Sequence, residues 1–127
     1  MSINDIGKDG ERMARIILKN KFKVDGIFQA DWLVNKNGID YVIEVKHKEM
    51  FAPPPFYGHG LDIRQVRARM DFYKRHNIRC LFLVIDMDGT VYWQWLDTLE
   101  KTKYYDTKNR VRIYDIQEFY KLNDKIA

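Results

Sequence analysis

The sequence predicts one domain of the mixed α/β (α+β) class, a mixed central sheet flanked by helices. Three observations lead to this class: a length of 127 residues, an Asn37-Gly38 pair between two strand-like segments, and an apolar run from Leu81 to Ile85. Asn-Gly is the strongest short signal of a two-residue hairpin, because both residues tolerate positive φ. The apolar run is typical of a central strand buried on both faces.

The first half of the chain predicts a helix, a hairpin and a second helix. Asn4 or Asp5 can cap the first helix. The apolar positions of that helix, at helical spacing, are Ile6, Met13, Ala14, Ile17 and Leu18. The predicted elements are a helix over 4–21, strands over 28–35 and 39–48, a proline-containing loop over 49–60 and a helix over 61–76 with Ile63, Val66, Met70 and Tyr73 on its buried stripe.

The second half predicts strands and a closing helix. Asp88-Gly89 indicates a hairpin turn between the central strand and the next one. The predicted elements are strands over 81–85 and 91–96, an unspecified polar segment over 98–109, a short strand over 111–114 and a helix over 115–123. Together the segments predict helices packed on a mixed sheet.

Composition excludes several classes of protein. A hydrophobic content of 46% and an aromatic content of 14% exclude a disordered tail. No apolar run reaches the roughly 18 residues of a membrane helix, and no signal peptide is evident. The single cysteine excludes an internal disulfide framework and suits a reducing compartment. We therefore expect a cytoplasmic protein.

The excess positive charge of +4 comes from one segment. Residues 61–79 contain six basic and two acidic residues, whereas the segments before and after are almost neutral. A local basic patch indicates phosphate binding, although a solvated helix face would have the same composition. Its members on the predicted helix are Arg64, Arg67, Arg69, Lys74 and Arg75.

The hairpin places two acids opposite each other. If Asn37 and Gly38 form the loop, Lys36 pairs with Ile39, and the residue numbers of every pair in the hairpin sum to 75. By this register Asp31 lies directly opposite Glu44. Two like charges there repel, so removal of one should leave the fold intact and relieve repulsion. A divalent cation such as Mg²⁺ or Mn²⁺ would turn the repulsion into binding.

Three further residues belong to this constellation. Lys46 lies on the same face as Glu44, with Ile43 and Val45 turned towards a core. Glu11 lies at the edge of the apolar face of the first helix, and Gln65 lies beside the core face of the second. For each residue a solvent-exposed structural position is the alternative.

These residues resemble the motif of the PD-(D/E)XK nuclease superfamily, most closely its small phage and archaeal nucleases of the Holliday junction resolvase or recombination type. The motif runs in order as a helical acid, an Asp on one strand, Glu-x-Lys on the next and a helix that carries Gln. Here it reads Glu11, Asp31, Glu44-Val45-Lys46 and Gln65, although Ala30 stands at the proline position. The resemblance implies a restriction-endonuclease-like αβββαβ core over about residues 5–96.

The resemblance also implies roles. Asp31, Glu44, the backbone carbonyl of Val45 and Glu11 would bind Mg²⁺ or Mn²⁺, Lys46 would assist the attacking water, and Gln65 would orient substrate. The reaction would be hydrolysis of DNA phosphodiester bonds by an endonuclease that acts on branched or recombination and repair DNA, in a bacterial, archaeal or phage-infected cell. A catalytically silent nucleic-acid-binding domain, a restriction-type nuclease and an RNA-directed nuclease are the alternatives.

Two surfaces complete the expectations. The 49–60 loop offers aromatic and histidine side chains, among them Tyr57 and His59, that could touch DNA near the cut site or lie in a surface crossover without substrate contact. The apolar segment 91–96 could form a homodimer interface, since cleavage of branched DNA usually needs two active sites.

Overall fold

The computed structural model describes residues 32–122 of the chain, which form two sheets, two helices and one 3-10 turn. The strands are β1 Trp32–Lys36, β2 Ile39–His47, β3 Gly58–Asp62, β4 Arg79–Ile85, β5 Val91–Trp95, β6 Tyr104–Asp106, β7 Val111–Asp115 and β8 Tyr120–Lys121. The helices are α1 Ile63–His76 and α2 Leu96–Leu99. The predicted helix over residues 4–21 lies outside the described residues. Within the part described, no helix has the length and apolarity needed to cross a bilayer.

The larger sheet is mixed and has the strand order β1-β2-β4-β5-β8. Strands β2 and β4 run parallel, and every other neighbouring pair is antiparallel. The prediction that residues 81–85 form a central strand is confirmed. Cys80, Phe82 and Val84 are buried on one face of β4, whereas the residues of the other face are only half-buried, so complete burial on both faces was wrong.

The two predicted hairpins are present. Asn37 and Gly38 have φ values of 54° and 79°, as a two-residue type I′ turn requires. Lys36 pairs with Ile39, and the register continues unbroken to Trp32 opposite Ile43. The second hairpin joins β4 to β5 through a turn in which Gly89 has a φ of 87°.

Helix α1 connects the two sheets and covers the larger one. The Asp62 carboxylate accepts a hydrogen bond of 2.8 Å from the backbone N–H of Arg64 and caps the helix. Asn77 ends it with a φ of 55° and donates its N–H to the Tyr73 carbonyl. The capping residue delays the helix by two positions relative to the predicted start at residue 61.

The smaller sheet contains a strand that the sequence pattern did not indicate. Its order is β3-β7-β6, and β3 occupies residues predicted as loop and first helical turn. A Cβ on Gly58 would lie 2.1 Å from the Tyr114 carbonyl oxygen, and one on Gly60 would lie 2.7 Å from that of Arg112. The glycines are needed for this close approach, although glycine is normally depleted in strands.

The predicted closing helix over residues 115–123 is also wrong across the described part of that segment. Asp115 accepts a hydrogen bond from the Gln117 N–H and caps only a single 3-10 turn, Ile116–Glu118. The chain then extends into β8, which pairs with β5. Burial of Phe119 against Phe82, with ring centroids 5.9 Å apart, favours this extended path over a helix.

The core lies between the larger sheet and the layer formed by α1 and the smaller sheet. Its buried members are Val42, Leu61, Val66, Cys80, Phe82, Val84, Leu96, Leu99, Tyr114 and Phe119. The face of β2 that carries Glu44 and Lys46 therefore looks towards the core layer rather than bulk solvent.

Candidate active site

Glu44 lies in β2 and points into the interior. Only 1% of its surface is exposed, and it shares a face with the core residue Val42. Its register partner on β4 is the fully buried Phe82. A carboxylate in such a layer needs a compensating partner, because its lost hydration is costly.

Arg69 of α1 supplies a cationic partner for Glu44. The guanidinium donates from Nε to Glu44 Oε1 at 2.5 Å, and Nη2 lies 2.5 Å from the same oxygen. The side chains of Arg69 and Glu44 are only 8% and 1% exposed. The pair is thus a buried ion pair that ties α1 to β2.

Two residues predicted to contact DNA are buried. Arg69 is 7% exposed and His59 is 0% exposed. Arg69 lies on the side of α1 that packs against β2, where its guanidinium contacts Glu44. His59 lies on β3 inside the smaller sheet. In this structure neither side chain reaches a surface where it could contact a DNA phosphate.

Lys46 follows Glu44 on the same face of β2 and is half-buried. Its register partner on β4 is the buried Val84. The prediction that Ile43 and Val45 face the core was wrong, because the buried core includes Val42 and these two residues are half-buried on the other face. The acid is therefore buried in the core layer, whereas the lysine lies at the margin between the core and the outside.

Gln65 is half-buried on α1, one helical turn before Arg69. Residues four apart lie on the same side of a helix. Gln65 therefore lies on the same side of α1 as Arg69, the residue that contacts Glu44. This placement puts Gln65 on the helix face that leads to β2.

The remaining two carboxylates of the predicted site, Glu11 and Asp31, lie outside the described residues. The hairpin register confirms that paired residue numbers sum to 75, as far as Trp32 opposite Ile43. The opposition of Asp31 and Glu44, which is the next pair by the same arithmetic, stays a prediction.

The other predicted DNA contacts lie on the surface. Arg64, Arg67, Lys74 and Arg75 are exposed on α1, and Tyr57 is 56% exposed. Arg75 Nε is 3.1 Å from Asp71 Oδ2, and Arg64 Nε is 3.6 Å from Asp62 Oδ1. Exposed ion pairs of this kind are weak, so these arginines can exchange their carboxylates for other anions.

A second buried polar pair lies near the carboxyl ends of β2 and β4. His59 Nε2 is 2.9 Å from Asp86 Oδ2, and the His59 ring lies against Tyr92 and Phe119. Among the described residues, Nδ1 of His59 has no hydrogen-bond partner. The sequence analysis missed this pair. The signal that the sequence offers is the triplet Gly58-His59-Gly60, because glycines on both sides of a residue allow a neighbouring strand to approach closely.

Lys48 lies beside this pair and beside Lys46. Burial, and secondarily the charge of Lys46, lower the pKa of Lys48 below its ordinary value. Its Nζ lies 5.1 Å from the centroid of the Phe51 ring. Lys46 and Lys48 together make this end of β2 positively charged.

The His59–Asp86 pair predicts a pH dependence of stability. Burial lowers the pKa of His59 below its ordinary value of 6.5, although the hydrogen bond and charge of Asp86 oppose the shift and Lys48 adds to it. As pH falls through 6.5 the unfolded chain takes up the proton first, so the free energy of unfolding should fall and then level off below the folded pKa.

Urea denaturation at a series of pH values between about 5 and 8, where histidine titrates, measures this effect. His59→Gln should be less stable than the wild type and should lose part of the pH dependence. His47→Gln, which changes an exposed histidine, should retain the wild-type dependence. If the free energy of unfolding changed equally with pH in the wild type and in His59→Gln, the prediction would be contradicted.

Within residues 32–122, no group of three or more His, Cys, Asp or Glu side chains is placed to hold a metal ion. The described part offers the Glu44 carboxylate and the Val45 carbonyl. Both are hard oxygen donors of the kind that Mg²⁺ and Mn²⁺ accept. The described donors fit such an ion in chemistry, and further carboxylates would have to come from outside the described range.

Comparison with known proteins shows the fold. Neither protein-family models nor the sequences of curated proteins match this chain. Among solved structures, the chain is similar to Hjc, a Holliday junction resolvase from the archaeal hyperthermophile Archaeoglobus fulgidus, with a TM-score of 0.50 and 16% identity over 87% of this chain and 86% of that chain. The chain therefore shares the fold of that structure. The predicted mixed sheet with flanking helices is thereby confirmed.

Proposed function

We propose that this protein is a metal-dependent nuclease that hydrolyses phosphodiester bonds of branched DNA in recombination or repair. One observation carries the proposal: Glu44 is buried on β2 of a resolvase-like fold, with Lys46 next on the same face. A buried acid followed by a half-buried lysine is an unusual arrangement for stability alone, because burying charges is costly.

In this proposal four groups hold Mg²⁺ or Mn²⁺, namely Asp31, Glu44, the Val45 carbonyl and Glu11. When bound, the ion would supply positive charge and would lower the pKa of a water molecule. Lys46 orients that water and stabilises the negative charge that develops on the phosphate oxygens. Gln65 orients the substrate from α1.

The exposed face of α1 provides the path for DNA. Arg64, Arg67, Lys74 and Arg75 are exposed there, and this helix also carries Arg69, which contacts Glu44. Phosphate contacts of this kind position a duplex without reading its sequence. Tyr57, exposed on the segment before β3, supplies an aromatic contact.

Removal of two of these arginines should weaken DNA binding and its salt dependence. Arg64→Ala combined with Arg67→Ala should reduce the slope of log K against log salt by about one for each phosphate that an arginine no longer neutralises. Fluorescence anisotropy at several salt concentrations measures the slope. Lys36→Ala combined with Lys101→Ala, which changes two exposed lysines outside α1, is the control of equal charge. An equal loss of salt dependence in the two double variants would contradict the proposed DNA path along α1.

Incubation with DNA tests the function. The wild-type protein is mixed with a four-way junction, a linear duplex and a supercoiled plasmid, each with Mg²⁺, with Mn²⁺ or with EDTA. We expect junction cleavage only with metal, loss of cleavage in Asp31→Ala and normal cleavage in Asp40→Ala, which changes an exposed acid of the same hairpin. Binding without cleavage in every condition would contradict the proposal.

A second candidate is a catalytically silent nucleic-acid-binding domain on the same fold. The observation that favours it is the ion pair between Glu44 and Arg69, because a carboxylate whose charge is already compensated needs no metal to be stable. The cleavage experiment separates the two candidates. A restriction-type preference would instead appear as duplex cleavage that does not depend on a junction.

The proposal includes a homodimer, since resolution of a four-way junction requires two cuts. The predicted interface over residues 91–96 is largely enclosed: β5 pairs with β4 and β8, and Tyr120 packs on Trp93 with ring centroids 4.8 Å apart. Within residues 32–122, the outermost strand on the other side of this sheet is β1, where Trp32 and Leu33 are 63% and 70% exposed. Exposed apolar side chains of this kind favour association.

A further inference from the structure

The proposed metal ligand Glu44 already has a cation beside it. Arg69 Nε and Nη2 both approach Oε1 of Glu44 at 2.5 Å, and both side chains are almost completely buried. Charge-assisted bonds in such surroundings are strong, because little water screens them. The guanidinium therefore compensates the charge of the Glu44 carboxylate from within the described part of the chain.

A buried carboxylate has to be compensated in every state of the folded protein. Without a metal ion, the guanidinium of Arg69 contributes to that compensation, and removal of one member of a buried pair is strongly destabilising. A divalent ion on the same carboxylate would supply it as well, because metal binding at a buried site contributes to folding. Two cations next to one carboxylate repel each other at short range.

Arg69 is anchored close to Glu44 by the helix that carries it. α1 places Val66 in the core, one turn before Arg69, and caps itself at both ends with Asp62 and Asn77. The guanidinium therefore stays near Glu44 when another cation arrives. Its positive charge then weakens the binding of that cation.

We infer that Arg69 is the internal counter-ion of the metal site: it stabilises Glu44 in the metal-free protein and lowers the affinity of the site for Mg²⁺ or Mn²⁺. This inference rests on the proposed function, since it assigns Glu44 to a metal. By linkage, the ion in turn weakens the hold of Arg69 on Glu44. Arg69 is in this sense a regulating residue rather than a catalytic one.

Titration of the full chain with Mn²⁺, followed by the electron paramagnetic resonance signal of the free ion, tests the inference. Arg69→Gln removes the charge and keeps an N–H donor, and Arg69→Lys keeps the charge. We expect the dissociation constant for Mn²⁺ to fall about tenfold in Arg69→Gln and to stay near the wild-type value in Arg69→Lys. In EDTA, Arg69→Gln should melt at a lower temperature, and Mn²⁺ should raise that temperature by more than in the wild type.

The outcomes separate this inference from the function on which it rests. Equal or weaker Mn²⁺ binding by Arg69→Gln, with binding by the wild type, overturns the counter-ion role and leaves the proposed nuclease intact. Absence of Mn²⁺ binding in all three proteins overturns both. If Arg69→Gln folds only with Mn²⁺, the inference is supported; if it stays unfolded with Mn²⁺ while Arg69→Lys folds, the role of Arg69 is structural and the inference is overturned.

Discussion

Replacement of Glu44 by alanine should lower the free energy of unfolding by about 3–5 kcal/mol, the usual cost of removing one member of a buried ion pair. The substitution leaves the Arg69 guanidinium, 8% exposed, without the carboxylate that compensates it. The sequence alone places Asp31 opposite Glu44 and therefore predicts that this substitution raises the free energy of unfolding, because it removes the repulsion between the two carboxylates. The sign of the change therefore reports which interaction dominates at Glu44.

Urea denaturation in EDTA measures the effect of this substitution. Asp40→Ala, at an exposed position of the same strand, should change the stability by less than about 0.5 kcal/mol. Replacing both members of the pair, Glu44→Leu with Arg69→Met, should recover much of the loss, because apolar residues of similar size often substitute well for a buried pair. A Glu44→Ala protein as stable as the wild type would show that the pair contributes nothing.

The second large effect concerns activity. Lys46→Met should reduce the rate of DNA cleavage by about 100-fold or more, the usual size for a positioned group that acts on the transition state. The side chain is half-buried and methionine has similar length, so the stability should change little. The loss should therefore appear in the cleavage rate rather than in the melting temperature.

Single-turnover cleavage of a four-way junction in Mg²⁺ measures that rate at saturating protein. Lys36→Met, at the exposed end of the same hairpin, is the matched control and should cut at the wild-type rate. A Lys46→Met protein that cuts as fast as the control would exclude Lys46 from the reaction. A protein that loses binding and stability together would indicate a structural lysine instead.

Local signals predicted much of the fold. Asn37-Gly38 specified the turn and the register of the first hairpin, and Asp88-Gly89 marked the second. The run from Leu81 to Ile85 indicated the central strand. These predictions succeeded because the backbone conformation of a tight turn and the burial of an apolar strand depend mainly on the residues concerned.

The failures involve segments that depend on distant partners. β3 contains two glycines and forms a strand because it pairs with β7. The β7 backbone lies so close to these two positions that a Cβ atom would not fit. β8 replaces a predicted helix because an edge of β5 is available and Phe119 enters the core. Secondary-structure propensity is a weak signal where a tertiary partner is present.

The candidate site also has features that the local sequence predicts and features that depend on tertiary contacts. The sequence by itself determined that Glu44 and Lys46 share a face of one strand, since side chains alternate along β2. Only the tertiary structure decided that this face is buried and that Arg69, 25 residues further on, contacts Glu44. It likewise paired His59 with Asp86 across 27 residues. Alternation is a local property of the backbone, whereas the partner of a buried charge depends on how the helix and the two sheets pack.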